Sequence, residues 1–222
     1  MSRLFAVLRT MAKVAEWFDT ERPSNITVPP ETIEGLPGLV VIEREGRRVI
    51  RSLQWWFPRL TREARLRGNE LGLVGLVADL TNPMWDRMVV DPQYRCLIPL
   101  THFANPAGAP GSKTRTWFSI KDEPMMTWAG FCRTLPDVGP VFAGMTMTAN
   151  SLVEPSNDRM PVLLDRSEHD PWLHGSIEDV IHFQFREPMA ADGMDLQSTN
   201  DSWRSGKAPT LLNRAEQIGL DF

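Results

Sequence analysis

The sequence has little cysteine and no long hydrophobic run. Its only cysteines, Cys96 and Cys132, stand among apolar residues in strand-like surroundings. No stretch approaches the ~20 apolar residues that a membrane-spanning helix requires. The chain does not open with the charged segment, apolar run and small-residue cleavage site of a signal peptide. We therefore expect a cytoplasmic protein with two buried thiols, no disulfide and no membrane partner.

The sequence also lacks the excess of positive charge that is typical of nucleic-acid-binding proteins. Lysine and arginine number 24 against 28 acidic residues, which gives a net charge of −4 at pH 7. Any binding to DNA must therefore depend on a local surface. With 42% hydrophobic and 23% charged residues the chain can bury a large core, so disorder is excluded, and we expect residues 1–222 to form a single domain.

Several familiar site motifs are missing from the chain. There is no glycine-rich phosphate loop with its lysine, no G-x-S-x-G sequence and no Cys-x-x-Cys pair. His169, His174 and His182 are separated by five and eight residues, so no pair has the i, i+4 spacing of a helical zinc site. His102 stands alone beside the end of a strand pattern and is more typical of a structural residue. We predict no metal and no cofactor.

The hydrophobic pattern predicts an α+β fold with a mainly antiparallel β core and short peripheral helices. Apolar residues recur at helical spacing from Met11 to Phe18 behind Thr10, a typical N-cap residue. Strand patterns flank two turn-like segments, 44–47 and 121–124, so we expect a hairpin at each. The other expected elements are strands at 94–103 and 141–149, short helices at 167–173 and 177–183, an irregular segment over 188–210 and a final helical turn at 211–218.

Charge is distributed unevenly along the chain. Residues 44–67 contain eight arginines and two acidic residues, a balance of +6, whereas residues 165–195 contain eight acidic residues and two arginines, a balance of −6. The basic segment also holds Trp55 and Trp56, and arginine with aromatic rings is a combination that binds phosphates and stacks unpaired bases. The alternative is a solvated hairpin edge with core tryptophans.

The most specific motif spans residues 146–164. A β-rich entry leads to a polar loop with Asn157, Asp158 and Arg159, and an apolar segment follows. Such a loop can present a guanidinium to a phosphate or a carboxylate. The alternative is a turn at Asp158 with Arg159 folded back onto a carboxylate.

This motif resembles the SOS response-associated peptidase (SRAP) family, whose pattern is T-T-x-A-N leading to H-D-R-M-P-V. The chain matches it except that Asn157 replaces the histidine. Residues 95–103 look like the family's R-C-L-[IV]-P-x-x-x-F strand, residues 128–131 resemble its F-A-G-[LI] strand, and 11–18 take the place of its first helix. The resemblance covers residues 1–175 in patches and is weak from about 176. It implies an SRAP-like fold with a barrel-like core.

The resemblance also implies a chemistry. SRAP proteins shield abasic sites in single-stranded DNA by a covalent crosslink, in which the α-amine and thiol of a cysteine at position 2 close a thiazolidine ring with the sugar aldehyde. An asparagine, a glutamate and the motif's histidine handle protons and orient the sugar. In this chain Ser2 takes the cysteine position, Asn105 the glutamate position and Asn157 the histidine position, while Arg159 is retained.

These substitutions predict a loss of the crosslinking reaction. A serine hydroxyl is a much poorer nucleophile than a thiol, and asparagine cannot exchange a proton. Our leading hypothesis is a divergent SRAP-like protein, impaired as an enzyme, that binds single-stranded or abasic-site DNA in a DNA-damage context. The residues expected to contact DNA are Arg159, Trp55, Trp56 and Arg3. Two alternatives stay open: Ser2 acts as an N-terminal nucleophile or forms a Schiff base, or the fold is a protein-interaction scaffold that docks through its acidic 165–195 surface.

Overall fold

The computed structural model describes residues 3–59 and 72–211. Within these ranges the chain forms short α-helices around two main sheets and a small two-stranded one. Helices α1 to α4 comprise Met11–Phe18, Asp86–Val90, His169–His174 and Ile177–Phe185. Strands β1 to β15 comprise Leu4–Ala6, Glu31–Ile33, Pro37–Arg44, Arg47–Gln54, Phe57–Arg59, Gly72–Val74, Leu76–Val77, Arg95–Leu100, His102–Ala107, Thr114–Ile120, Met126–Leu135, Gly139–Thr148, Arg159–Pro161, Leu163–Leu164 and Met194–Ser202.

The two main sheets are mostly antiparallel, which confirms the predicted α+β class. The first sheet has the order β15-β10-β9-β1-β2. The second has the order β13-β12-β4-β3-β8-β11-β14, and β12 also pairs with β11, so the path from β12 through β4, β3, β8 and β11 returns to β12. Only the contacts of β12 with β4 and β7 are parallel among the described pairings. Strands β5 and β6 form the small antiparallel pair.

An aromatic cluster joins the two main sheets. Phe5 on β1 lies 5.0 Å from Trp55 and 6.0 Å from Trp128, measured between ring centroids, and Trp55 stacks on Phe142 at 6.2 Å. All four side chains are at most 1% exposed. Both indole N–H groups reach backbone carbonyls, from Trp55 to Gly75 and from Trp128 to Met145, each at 2.7 Å. The cluster therefore buries a large apolar area without leaving these polar atoms unpaired.

Several predicted local features are confirmed. The hydroxyl of Thr10 accepts from the backbone N–H of Lys13 at the start of α1, and Asp19 ends the helix in the left-handed region at φ 52°. The hairpin of β3 and β4 turns at Glu45 and Gly46, both at positive φ. Positive φ at two successive residues gives the turn whose twist matches that of the flanking strands.

Two expectations about strands are wrong. Segment 94–103 is two strands, β8 and β9, because Thr101 binds the first sheet instead: its backbone N–H and its hydroxyl both donate to the carbonyl of Ala6, at 2.7 and 3.1 Å. Segment 121–124 does not close a hairpin. Strand β10 pairs with β9 and β15, whereas β11 pairs with β8, β12 and β14. The turn instead contacts the residue before β15, because the backbone N–H of Lys121 donates to the Gly193 carbonyl at 2.9 Å.

The segment after residue 188 holds a strand that the pattern did not predict. Strand β15 forms the edge of the first sheet, within the segment 188–210 that was expected to be irregular. The expected helices at 167–173 and 177–183 correspond to α3, with the short 3₁₀ turn before it, and to α4. The helical turn expected at 211–218 lies almost wholly outside the described residues. Cys96 and Cys132 are buried free thiols, as predicted, and burial raises the pKa of Cys96.

Candidate functional site

Two of the three predicted catalytic positions meet in the structure. Asn105 is fully buried on β9, and Asn157 lies half-buried in the loop between β12 and β13. The side-chain amide of Asn157 donates to the side-chain oxygen of Asn105 at 3.4 Å, and the amide of Asn105 donates to the hydroxyl of Ser156 at 3.0 Å. We call Asn105, Ser156 and Asn157 the amide cluster. Sequence comparison with the family pattern located the two asparagines, but Ser156 was not predicted.

The loop that carries Ser156 and Asn157 is held by its own side chains. The side-chain oxygen of Asn150 accepts from the backbone N–H of Val153 at 3.1 Å, and the Ser156 hydroxyl donates to the Val153 carbonyl at 2.9 Å. The side-chain oxygen of Asn157 accepts from the backbone N–H of Arg159 at 3.2 Å. These local bonds hold the loop in one conformation.

The first described residues lie beside the amide cluster. Strand β1 pairs with β9 in a register that places Leu4 opposite Ala104, so Arg3 lies next to Asn105. Arg3 forms an ion pair with Glu34 at 2.7 Å, and its side chain remains 56% exposed. The other oxygen of Glu34 accepts from the backbone N–H of Gly75 at 2.6 Å. Ser2, the remaining predicted catalytic residue, lies outside the described residues.

Arg159 turns its guanidinium inward. Its Nε donates to the hydroxyl of Thr146 at 2.9 Å, and its Nη2 donates to the carbonyls of Thr146 and Ala78 at 2.5 and 3.1 Å. Burial lowers the pKa of Arg159, and the carboxylates of Asp158 and Asp79 act in the opposite direction. These hydrogen bonds hold the end of the β12–β13 loop against β12 and against the segment after β7. A direct contact between Arg159 and a phosphate remains a prediction.

The two tryptophans of the basic segment have different surroundings. Trp55, one of the residues expected to contact DNA, is instead fully buried in the aromatic cluster, so no face of its ring is open to a base. Trp56 is half-buried, and the exposed Arg59 follows it by three residues. Trp56 therefore remains a candidate for contact with DNA. The arginines at 62, 65 and 67 lie outside the described residues.

A pocket of about 510 Å³ opens beside the amide cluster. Ser156 belongs to both, and Thr116 lies opposite Asn105 in the pairing of β9 with β10. The exposed Lys113 supplies a positive charge at the pocket. The other lining residues are hydroxylic or apolar: Pro106, Ala107, Gly108, Phe118, Ser151, Leu152, Pro155, Leu196 and Ser198. No local pattern in the sequence distinguishes Lys113 or Thr116, because only the pairing of β9 with β10 brings them to the site.

The amide cluster can form hydrogen bonds but has no group that titrates near neutral pH. The buried histidines lie elsewhere: His102 contacts the hydroxyl of Thr101, and His169 contacts that of Thr127. Burial lowers the pKa of each histidine to about 4. Within the described ranges no group of three or more His, Cys, Asp or Glu residues is placed to hold a metal ion. The described helices include none long and apolar enough to cross a membrane.

The model of the SOS response associated peptidase (SRAP) family matches residues 3–200 of the chain. This chain is a member of the SRAP family. The match includes β1, the amide cluster and most of β15, so it covers every described residue that we have placed at the site. No curated protein sequence matches the chain.

Solved structures share the fold of this SRAP chain. A protein from Bordetella bronchiseptica superposes with a TM-score of 0.72 at 18% identity, over 90% of this chain and 99% of that one. A protein from Bacteroides thetaiotaomicron gives 0.68 at 15% identity, over 88% and 91%. A phage-related protein from Bordetella bronchiseptica gives 0.68 at 13% identity, over 94% and 100%. At these identities the similarity concerns the fold.

Proposed function

We propose that this SRAP protein binds single-stranded DNA at an abasic site, in the context of DNA damage, without forming a thiazolidine crosslink. The observation that carries the proposal is the amide cluster: Asn105 and Asn157, which the resemblance equates with the family's glutamate and histidine, contact each other at 3.4 Å. Amide and hydroxyl groups donate and accept hydrogen bonds, which suits the hydroxyl groups of an opened sugar. They cannot take or give the protons that ring closure requires.

Two exposed cations near the cluster supply the attraction for the phosphates. Arg3 keeps more than half of its side chain exposed despite its ion pair with Glu34, and Lys113 stands at the adjacent pocket. Neutralising each phosphate of a single strand changes the slope of log binding constant against log salt by about −0.7. Two contacts therefore predict a slope of about −1.4. Trp56 is the aromatic residue left to stack on a neighbouring base.

The test uses a labelled single strand that carries a tetrahydrofuran abasic analogue, which has no aldehyde, and fluorescence anisotropy at low salt. We expect the wild-type protein to bind, and Asn105→Ala and Asn157→Ala to weaken binding by about fivefold to tenfold, because the first removes the partner that positions Asn157 and the second removes a hydrogen bond to the sugar. Asn25→Ala, in an exposed loop, is the control. Circular dichroism verifies that the variants fold. Absence of binding by the wild-type protein, or equal affinity of all three variants, would contradict the proposal.

One observation favours a second function, Schiff-base formation. The register of β1 brings Arg3, the first described residue, beside Asn105. A free α-amine on Ser2, exposed by removal of Met1, would condense with the aldehyde of a natural abasic site and release water. Intact-mass analysis with and without borohydride separates the cases. An adduct only after reduction supports this second function, and Lys113→Arg tests whether the lysine is the amine instead. An adduct without reductant would contradict the proposed absence of a crosslink.

A further inference from the structure

Helix α4 exposes a row of large apolar side chains. Ile177, Ile181 and Phe185 follow one another at four-residue spacing, so they lie along one side of the helix. Their exposed fractions are 38%, 45% and 75%. The side of α4 that packs on the protein is formed by other residues, Val180 and Phe183. The apolar row therefore contributes little to the core.

A fourth exposed apolar residue lies on a neighbouring helix. Val90 ends helix α2, is 60% exposed and belongs to an element that contacts α4. Seven large hydrophobic residues are exposed in the part of the chain that the structure describes, and four of them lie on these two helices. We call Val90, Ile177, Ile181 and Phe185 the apolar stripe. Such concentration of exposed apolar area is typical of an interaction surface.

Acidic side chains border the apolar stripe. Glu178 lies three residues before Ile181 on the same helix, which makes the two side chains neighbours. Asp86 lies four residues before Val90 on α2, and Glu187 follows α4. All three carboxylates are exposed.

The basic residues near the stripe leave these three carboxylates in excess, since one of the two arginines is already paired with a carboxylate outside the rim. Arg186 donates to the carboxylate of Glu168 and to a backbone carbonyl. Arg87 lies 5.4 Å from the centre of the Tyr94 ring. A second copy of the same face would bring carboxylates against carboxylates, which is unfavourable. The rim instead complements a cationic partner.

We propose that the apolar stripe is a docking site for a basic amphipathic helix of a partner protein. The partner helix would place apolar residues at i, i+4 and i+8 against Ile177, Ile181 and Phe185, and its lysines or arginines beside Asp86 and Glu178. This is the helix-in-groove mode of recognition, in which apolar anchors give affinity and charges give orientation. The inference does not depend on DNA binding, because none of these residues contacts the amide cluster in the described interactions.

The probe is a synthetic helical peptide of about 14 residues with leucine at i, i+4 and i+8 and lysine on both flanks. We expect it to bind at low salt, and Ile181→Glu and Phe185→Glu each to weaken binding by about tenfold, since they place a charge in the apolar contact. Leu196→Glu is the matched control, because it adds the same charge at another exposed apolar residue. The three side chains are exposed, so the variants should fold, and circular dichroism checks this.

The added glutamates separate docking from general charge attraction. If the cationic peptide were held only by the negative charge of the protein, all three variants would bind it more tightly. Tighter binding by Ile181→Glu would therefore overturn the proposal. So would equal binding of a peptide with glutamate in place of lysine. Sedimentation velocity tests the alternative that a second copy of the chain occupies the stripe. If the protein were a dimer that Ile181→Glu dissociates, the second copy would be the occupant and the proposal would be wrong.

Discussion

At the scale of the residue, three arginines stabilise the fold by donating hydrogen bonds to the backbone. Two are fully buried and the third is half-buried, and each donates to main-chain carbonyls instead of facing solvent. Charge-assisted hydrogen bonds to carbonyls are stronger than neutral ones, and a partner left without its donor is costly. The three are Arg95, which binds the carbonyls of Trp172 and Gly175, Arg115, which binds those of Trp203 and Lys207, and Arg159, which binds those of Ala78 and Thr146.

Arg159→Ala is therefore expected to destabilise the fold. The substitution removes the bonds to Thr146 and Ala78, and we expect the free energy of unfolding to fall by about 2–4 kcal/mol. Arg159→Lys keeps the charge but not the planar set of donors, so it should lose most of the same stability. Urea denaturation measures both, with the exposed Arg47→Ala as the control. Equal urea midpoints for Arg47→Ala and Arg159→Ala would contradict the stabilising role of Arg159.

The sequence indicates which residues belong to the site, but it does not indicate which way their side chains point. The family pattern singled out Asn105 and Asn157, and the structure places them in contact. It also singled out Arg159, yet the side chain points to β12 and not to solvent. The direction of a long side chain depends on which carbonyls the fold leaves unpaired, and these become known only from the tertiary structure. Glu34 was missed for the same reason, since its partners Arg3 and Gly75 are remote in sequence.

At the scale of the element, the pairing of β11 with β12 depends on a glycine. Gly144 lies opposite Gly130, and a Cβ atom at position 144 would lie 2.0 Å from the ring of Trp128. The ring cannot move aside easily, because its N–H is bonded to the Met145 carbonyl at 2.7 Å. The strand therefore excludes every side chain at this position.

We expect Gly144→Ala to lower the free energy of unfolding by about 3 kcal/mol or more, since the tryptophan must leave its position in the aromatic cluster. Gly193→Ala is the matched control, because its Cβ would meet no atom closer than 3.9 Å. Thermal unfolding followed by near-ultraviolet circular dichroism reports both stability and the tryptophan environment. An unchanged spectrum and melting temperature for Gly144→Ala would contradict the packing argument.

Elements with local signals were predictable, whereas pairings were not. Helix α1 carries its own cap and its own apolar periodicity, so its bounds follow from residues 10–19 alone. Strand β15 alternates between less and more exposed residues but contains few β-branched or large apolar ones, so its formation depends on β10, about 80 residues earlier. The turn at 121–124 has hairpin composition, yet its flanking strands enter different sheets. Local composition does not determine which strand a neighbour will pair with.

At the scale of the whole molecule, the basic and acidic segments of the sequence meet. Arg48 on β4 forms an ion pair with Asp170 on α3 at 2.5 Å, and Glu43 on β3 lies 3.1 Å from His174. Part of the positive charge of the basic segment is therefore paired with acidic residues of the same chain. The turn end of the β3–β4 hairpin lies against α3 rather than at the amide cluster. A charge count along the sequence could not predict this, because residues 43–48 and 170–174 come together only in the folded chain.

The stability of the whole molecule should fall as the pH is lowered from about 6.5 to about 4. Burial lowers the pKa of His102 and His169 to about 4 in the folded state, whereas both have a pKa near 6.5 when unfolded. Above pH 6.5 both states are neutral and this contribution is fully present. Between the two values only the unfolded state binds the proton, so the free energy of unfolding decreases, by up to about 3 kcal/mol for each histidine, and the loss ends below pH 4.

Urea unfolding between pH 7 and pH 4 measures this dependence, and variants separate it from the titration of carboxylates. His169→Gln retains a hydrogen-bonding group for Thr127 but cannot bind a proton in this range, so it should remove about half of the histidine contribution. The exposed His182→Gln is the control for replacing a histidine by glutamine. If His169→Gln lost stability with pH as steeply as the wild-type protein, the stacked position of His169 on Phe18, at 5.3 Å between ring centroids, would not be the source of the acid sensitivity.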